Sequence, residues 1–351
     1  MKRIGNIYRK ICCYDNLLLA HYEARKGKAH YKEVKQVNSD EEGYLKNLEF
    51  ILMNEFYNVN SSDYKREIII DKGKEREILK LSYYPHRVVQ WAIMLQLEDI
   101  FYKNLITDTY ASVRGRGIHL AAKRIKKVLK EDEGNTKYCL KIDIKKYYPS
   151  INNNILYKLL QRKIKDPQLL RLLHIIIFST GEKGQPIGSL WSQWAGNFYL
   201  SGLDHYVKEK LKIKHYFRYC DDIIFLDKNK EKLHEVRKEI ELFLLTLDLE
   251  LKENYQVFDV DARGIDFLGY RFFRNFTLLR KRVLKQFKAK IKRIRHKEIL
   301  TLRDYGALNS YKGWLKYCNS YRLREKYLKE FQNKKYIDQK GNLRRINICI
   351  S

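Results

Sequence analysis

Three things are scarce in this chain, and each scarcity removes a class of protein. No stretch approaches the roughly 20 consecutive apolar residues of a membrane-spanning helix, and the early apolar run, residues 17 to 20, is too short for the core of a secretory signal. Paired cysteine spacing is missing too. Cys12, Cys13, Cys139, Cys220, Cys318 and Cys349 show no CxxC step and no histidine at zinc-ligand spacing, so free thiols in a reducing, cytoplasmic setting are expected. Acid is the third: 42 Asp and Glu face 71 Lys and Arg, a net charge of +29. Such an excess says little about fold but predicts attraction to polyanions. It is also uneven, since residues 271–351 hold 24 Lys and Arg against 5 Asp and Glu, or +19 of the total. A basic module at one end suits a nucleic-acid clamp. A membrane surface suits it less well, because 27 Tyr and 15 Phe are spread along the chain instead of forming one apolar helix face. The remainder, 44% hydrophobic and 32% charged over 351 residues, is ordinary globular composition with room for two or three subdomains.

What is present centres on residues 216–226, YFRYCDDIIFL. Aromatic and β-branched runs on either side of Cys220-Asp221-Asp222 predict a hairpin with two carboxylates at its tip. Concentrating negative charge there is costly unless a cation neutralises it, and hard divalent ions favour carboxylate and phosphate oxygens. A lone Asp-Asp pair is more often a solvated turn, so the pair needs company elsewhere in the chain.

Residues 1–60 alternate at mostly helical spacing and carry no evident chemistry. YKREIIIDKGKEREILKL, residues 64–81, predicts two strands joined by a Lys-Gly turn. Lys72, Lys74 and Arg76 around that turn either keep a hairpin soluble or reach a triphosphate. VVQWAIMLQLEDIFYKNL, residues 88–105, has the spacing of a core helix. Arg114-Gly115-Arg116-Gly117 then precedes a helical pattern, where a basic loop and backbone N–H groups could meet phosphate. YCLKIDI, residues 138–144, alternates: Tyr138, Leu140, Ile142 and Ile144 on one face, Cys139, Lys141 and Asp143 on the other. Asp143 thus ends a buried strand, which Pro149 closes, and Asn152 to Asn154 offer helix caps. Residues 155–178 read as helical scaffold. A Gly-rich loop at residue 181 becomes a helix around Ser189, with Gly188, Ser192 and Gly196 spaced by four to leave a smooth face for a base pair or a neighbouring helix. An amphipathic helix after residue 229 and a strand pair in GIDFLGYRFF follow. Residues 279–299 place Leu279, Val283, Phe287, Ile291 and Ile294 on one helical stripe among basic residues, including Lys285, Lys288, Lys292 and Arg295.

Asp143 and Asp221 lie 78 residues apart with helices between them, so a crossover can bring two strand-borne carboxylates together. That is what a two-metal site needs, and with a polyanion-binding module appended, nucleotidyl transfer is the economical chemistry.

At these residues the chain resembles the reverse transcriptases over nearly its whole length. DIKKYYPSI looks like their first catalytic block, YCDD like their YxDD box, and IGSLWSQ like the block that holds template and incoming nucleotide. GIDFLGY is similar to the primer-grip region and KGKEREILK to the basic fingers hairpin. The resemblance implies an α+β right-hand polymerase fold. It would divide into an N-terminal helical extension (1–60), fingers (61–137), a palm with an antiparallel sheet (138–273, with 151–185 partly fingers) and a basic helical thumb (274–351), with no RNase H or endonuclease domain after the thumb. It implies that Asp143 and Asp221 ligand two Mg²⁺ ions, with Mn²⁺ as a substitute, the Ile144 carbonyl as an extra ligand and Asp222 less directly bound. Tyr148 falls where the family keeps a steric gate against a 2′-hydroxyl. Arg76 with Lys72 or Lys74 matches the triphosphate-holding residues, and Arg114 and Arg116 match a block that meets template or primer phosphate. Lys252 matches a general acid for the leaving pyrophosphate.

One block departs from the common pattern QGxxxSP. Here it reads Ile187-Gly188-Ser189-Leu190-Trp191-Ser192-Gln193, similar to reverse transcriptases of diversity-generating retroelements, as are LDHYVKEKL and YKGWLKYCNSYRL. That resemblance implies a bacterial or phage-encoded enzyme that copies a template-repeat RNA into cDNA with errors at adenines, for mutagenic retrohoming. It would take dNTPs, use no membrane and work with a small basic accessory variability protein, itself oligomeric in some members. An Ile in place of Gln loses hydrogen bonds worth about 0.5 to 1.5 kcal/mol each, close to tenfold in discrimination, unless Ile187 is ordinary packing in an accurate enzyme. A retron or phage-defence reverse transcriptase is an alternative. An RNA-binding protein that kept the fold and lost catalysis is another, opposed by the intact Asp143, Asp221 and Asp222.

Overall fold

The computed structural model describes residues 3–71 and 73–346 of the chain. It opens with four helices, α1 (Tyr8–Cys12), α2 (Tyr14–Arg25), α3 (Lys32–Ser39) and α4 (Glu41–Met53). Leu45, Leu48 and Leu52 recur at three and four residues, and all are fully buried, as an amphipathic helix requires. Strands β1 (Lys65–Asp71) and β2 (Lys74–Lys80) pair antiparallel as an isolated two-stranded ribbon with Ile69 opposite Arg76. Lys72, expected at its turn, lies outside the described residues, as does the side chain of Lys74. α5 (Val88–Tyr102) follows, with Val88, Val89, Ala92, Ile93 and Leu97 fully buried. α6 (Ile118–Glu131) begins after Gly117, whose φ of 142° is open to glycine.

β3 (Tyr138–Asp143) is the strand expected, but its two faces are less distinct than the alternation suggests. Cys139, on the face assigned to polar residues, is fully buried like Leu140, because β3 is a central strand with β5 and β6 on either side. Burial pushes its thiol pKa up. Pro149 does not close the strand. β3 stops at Asp143, the chain turns through Lys146 at φ 43°, and Pro149 sits inside a single helical turn, α7 (Tyr147–Ser150). The scaffold expected as one helical stretch is two helices, α8 (Asn153–Gln161) and α9 (Pro167–Ile177). Asn152 caps the first. Asp166 starts the second, accepting from Leu169 N at 3.2 Å, with Pro167 in the first turn, where its missing N–H costs nothing.

α10 (Leu190–Tyr199) starts where the sequence indicates, with Ser189 Oγ accepting from Ser192 N. It is followed by α11 (Ser201–His205), the hairpin β4 (His215–Tyr219) and β5 (Asp222–Asp227), α12 (Lys230–Leu245), β6 (Gln256–Asp259) and α13 (Val260–Arg263). A second sheet joins β7 (Ile265–Phe267), β8 (Tyr270–Phe272) and β9 (Thr277–Leu279). The basic helix, α14 (Lys281–Ile294), is therefore shorter than expected. Leu279 belongs to β9, pinned as a strand where Thr277 and Asn319 exchange backbone and side-chain hydrogen bonds at 2.8 Å. The C-terminal stretch is not purely helical either. Besides α15 (Leu302–Lys316) and α16 (Tyr321–Leu328), it contains β10 (Ile299–Leu300), β11 (Lys335–Ile337) and β12 (Leu343–Arg345) in one small sheet.

The chain divides into two compact units, each interrupted in sequence. The first comprises the residues up to Val113 with Ile142–Lys212 and Val236–Tyr255; the second comprises Arg114–Lys141, Ile213–Glu235 and the residues from Gln256. The main sheet runs β4-β5-β3-β6, and β3 passes from the second unit into the first between Lys141 and Ile142. Among the described residues, no helix is long and apolar enough to cross a membrane.

Candidate functional site

In the second unit, the β4–β5 hairpin lifts the acidic pair as the sequence suggests. Tyr216 faces Phe225, Phe217 faces Ile224 and Tyr219 faces Asp222, leaving Cys220 and Asp221 as a two-residue turn. Cys220 has φ 58°, the positive angle that mirrored hairpin turns place at their first central residue. A non-glycine there costs about 1 kcal/mol or more, so the surrounding structure must hold it. Arg218, fully buried in β4, helps by donating from Nη1 to the Cys220 carbonyl at 3.3 Å. Asp222 opens β5 and faces Lys141 Nζ at 3.6 Å, while Lys141 also donates to the Asp266 carbonyl at 2.6 Å. Burial, and next the neighbouring Cys220, raise the pKa of the Tyr219 hydroxyl, which favours its protonated form.

In the first unit, Asp143 ends β3 with its side chain 37% exposed. Lys252 grips it twice: its ammonium pairs with Oδ1, and its backbone N donates to the Asp143 carbonyl at 2.9 Å. Ile144 bridges Leu251, and the flanking bond from Lys145 N to the Glu250 carbonyl is 2.9 Å. That short ladder uses the carbonyl of Asp143, not that of Ile144. Lys145 also pairs with Glu250 at 2.8 Å.

Carboxylate oxygens are the hard donors that Mg²⁺ takes, and each unit supplies one on its own. Asp143 and Asp222 present hard anionic oxygens, both partly exposed and both already facing an ammonium group. Among the described residues, no group of three or more His, Cys, Asp and Glu stands ready to hold a metal. Mg²⁺ is commonly held by one or two carboxylates together with substrate phosphates, not by an all-protein cage.

The glycine-containing block also lies in the first unit. The Ile187 carbonyl accepts from Leu79 N of β2 at 3.3 Å. Gly188, at φ 105°, sits where a Cβ would come within 2.9 Å of Ile78. The expected smooth face is therefore not open along its length: Gly188 precedes α10, Ser192 is 1% exposed, and Gly196 packs against Tyr147 and Tyr148. Tyr147 is core, its hydroxyl donating to the Gly196 carbonyl, and Tyr148 is half-buried. Gln193 is half-buried and accepts from Ser112 Oγ at 3.0 Å. Arg76 is exposed on β2.

In the second unit, Arg114 and Arg116 occupy the loop before α6, with Gly115 at φ 72°. Lys285, Lys288 and Lys292 are exposed on α14, opposite the buried Phe287, Ile291 and Ile294. Arg295 falls past the helix end and pairs with Glu330 at 3.3 Å, so its charge is partly offset. The cysteines Cys12, Cys13, Cys139, Cys220 and Cys318 are free thiols, and Cys349 lies outside the described residues.

Sequence reasoning placed Lys141 on the strand face of Asp143 without giving it a role, and it passed over Arg218 and Ser112. Nothing local marks the other two.

Comparison with known proteins adds the following. Residues 65–272 match the family model described as reverse transcriptase (RNA-dependent DNA polymerase). The chain is 24% identical over 297 residues to the Retron Ec73 reverse transcriptase of Escherichia coli, covering 78% of this chain and 89% of that protein. It is 27% identical over 157 residues to Protein YkfC of Escherichia coli K12, covering 41% of each. Among solved structures, a Candida tropicalis apo telomerase truncated from its C-terminal domain has a TM-score of 0.43 at 16% identity, covering 65% of this chain and 56% of that one. A Candida albicans telomerase in complex with a fragment of telomeric RNA has a TM-score of 0.49 at 12% identity, covering 72% and 54%. The chain thus spans less than two thirds of YkfC and of these telomerase chains.

Proposed function

The chain belongs to the reverse transcriptase (RNA-dependent DNA polymerase) family, and from that premise we propose that it copies an RNA template into DNA with the carboxylates of Asp143, Asp221 and Asp222. Its mixed helix-and-sheet architecture is the right-hand polymerase fold of that family. The observation that carries the reading is the Cys220-Asp221 turn, held at positive φ at the tip of an apolar hairpin, with Asp143 ending a strand of the same sheet.

Asp143 and Asp221 hold two Mg²⁺ ions, Asp222 supports them, and the Ile144 carbonyl is a further donor. Mg²⁺ held by these groups would supply activation of the primer 3′-hydroxyl and positive charge against the phosphates. The protein's own groups do the rest. Lys252 keeps a proton at Nζ for the leaving pyrophosphate. Arg76, with Lys72 or Lys74, holds the triphosphate. Tyr148 occupies the volume a 2′-hydroxyl would need, which favours dNTPs. Arg114, Arg116, Lys285, Lys288, Lys292 and Arg295 attract RNA and cDNA, in keeping with the +29 charge. The fingers, palm and thumb follow the divisions given above, and the enzyme works in the cytoplasm.

The block Ile187 to Gln193 supports a finer assignment to the diversity-generating type: error-prone copying of a template-repeat RNA at adenines, in company with a small basic accessory protein. The retron relative, which aligns over 78% of this chain, favours a second reading as a retron-type enzyme.

Asp221→Ala should abolish Mg²⁺-dependent dNTP incorporation on a DNA-primed RNA while RNA affinity survives; equal incorporation by the variant would remove the metal-site assignment. Ile187→Gln should lower misincorporation opposite template adenine. An unchanged error spectrum, with no template repeat in the flanking DNA, would favour the retron reading.

A further inference from the structure

In the first unit, the loop between α2 and α3 brings two cations together without an acid to balance them. Gly27 turns the chain at φ 70°. Lys28 N then donates to the Arg25 carbonyl at 2.8 Å, and the Lys28 carbonyl accepts from Tyr31 N at 2.9 Å. The second cation is Arg87, the last residue of the turn Tyr83–Arg87 that leads into α5. Lys28 and Arg87 are both half-buried, and Arg87 Nε is shut off from solvent with no hydrogen-bond partner. Burial, and next the Arg87 charge, lower the pKa of the Lys28 ammonium. Burial also lowers that of Arg87, with the Tyr83 and Tyr31 hydroxyls opposing it. Among the described residues, no carboxylate pairs with either cation. The acids of these helices are engaged elsewhere: Glu23 with Lys26 at 2.5 Å, Glu41 with Arg25 at 3.5 Å, and Glu33 with the Tyr83 amide at 2.5 Å.

Two like charges partly withdrawn from water without a counter-ion are costly, and an anion seated against both would offset that cost. An arginine fork and a lysine ammonium are the common protein partners of phosphate. The surroundings indicate whose phosphate it is. His30 and Tyr31 are exposed on the same loop, edge to face at 4.6 Å, and exposed rings beside cations are how proteins hold single-stranded nucleic acid. A free phosphate has no use for the rings. We propose that Lys28 and Arg87 clamp one backbone phosphate of a single-stranded RNA, with His30 and Tyr31 offered to its bases. The N-terminal helices are then an RNA-binding surface in their own right. The site goes beyond the polymerase reading and draws on neither the carboxylates nor α14.

The test uses the full chain, a short labelled single-stranded RNA and fluorescence anisotropy over a salt series. Lys28→Gln and Arg87→Gln should each weaken binding about threefold to tenfold. Each should also flatten the slope of log affinity against log salt by up to about 0.7, the value for one phosphate on a single strand. Because the two cations share that phosphate, the double variant should flatten it by no more than about 0.7 as well. Tyr31→Ala should weaken binding about fivefold or more and leave the slope alone. Lys35→Gln removes the same charge from the exposed side of α3 and should leave both unchanged. Thermal melts check that each variant is folded, and Lys28→Gln, in a surface loop, keeps the test open if Arg87→Gln does not fold. A loss at Lys35→Gln equal to that at Lys28→Gln would reduce the effect to general charge and overturn the proposal. A slope change of about 1.4 in the double variant, meaning two separate contacts, would overturn it too. If inorganic phosphate raises the melting temperature of wild type but not of Lys28→Gln, while both bind RNA equally, the site takes free phosphate and the assignment to RNA falls. Only binding is read, so a chain without templated incorporation would end the polymerase reading and leave this test standing.

Discussion

Gly196→Ala sets two effects of known size against each other at the residue behind Tyr148. In the middle of α10, replacing glycine by alanine should stabilise the helix by about 1 kcal/mol. The new methyl would lie 3.1 Å from Tyr148 Cε1 and 3.3 Å from Tyr147 Cε1, so a ring must give way by a few tenths of an ångström. Tyr147 is poorly placed to do so, being 3% exposed with its hydroxyl bonded to the Gly196 carbonyl. Tyr148, half-buried, is the more exposed of the two rings. Overpacking of this kind costs about 1–3 kcal/mol, which exceeds the helix gain. We therefore expect a net loss of about 0–2 kcal/mol in urea denaturation, with the displacement falling on Tyr148. Under the gate role proposed for Tyr148, displacing the ring from its backing loosens it, and the preference for dNTP over rNTP should relax by up to about tenfold, equivalent to about 1.4 kcal/mol. Single-nucleotide insertion with dGTP and GTP on one template measures this. A variant more stable than wild type with unchanged sugar preference would refute both the packing argument and the role given to Tyr148.

Two further outcomes are expected in the second unit. Replacing Lys285, Lys288 and Lys292 by Gln should weaken RNA binding and reduce the slope of log affinity against log salt by about 2–3, at roughly 0.7–0.9 for each phosphate no longer neutralised; an unchanged slope would take α14 out of the interface. Asp304, only 7% exposed in its side chain, pairs with Lys290 and Lys297 at 2.7 Å each. Burial alone would raise its carboxyl pKa, but hydrogen bonds from Lys290, Lys297 and Thr301 outweigh that and hold it well below the usual carboxylate range. The unfolded chain therefore binds this proton first, so the pair's contribution is complete above about pH 4 and is lost as pH falls further. Asp304→Asn, which strands the mostly buried Lys290, should cost about 3 kcal/mol at neutral pH and flatten the acid limb of a thermal-melt pH series. A variant with the same acid limb would show that other carboxylates govern it.

Long, strongly patterned elements were legible from the sequence because their periodicity exceeds their irregularity. The YCDD hairpin, the Ser189 start of α10 and the Asn152 cap each have a local physical signature. The misses have local causes as well. Strands β9 to β12 are two or three residues long and, unlike β7 (IDF) and β8 (YRF), contain no apolar-polar-apolar step for alternation to register. Leu279 stands four residues before Val283 and so imitated the helical stripe it does not join. The break at Asp166-Pro167 was hidden by apolar spacing that continues through it. Pro149 was read as ending a strand, although its fixed φ also suits a first helical turn. The site divides in the same way. Carboxylates at strand ends can be read from alternation, but the Ser112–Gln193 bond joins residues 81 apart in sequence, and the burial of Arg218 depends on what covers β4. Neither leaves a trace in local spacing.

Among the described residues the β1–β2 ribbon pairs with no other strand, and Ile68 and Ile70 are 69% and 78% exposed on it. A pair of strands with so little apolar cover is marginal by itself in water, so its amides should be among the first to exchange with deuterium while α5 stays protected. Whatever comes to lie over those two isoleucines would slow that exchange in proportion to its occupancy. The ribbon would then serve as a built-in gauge of whatever binds across its exposed face.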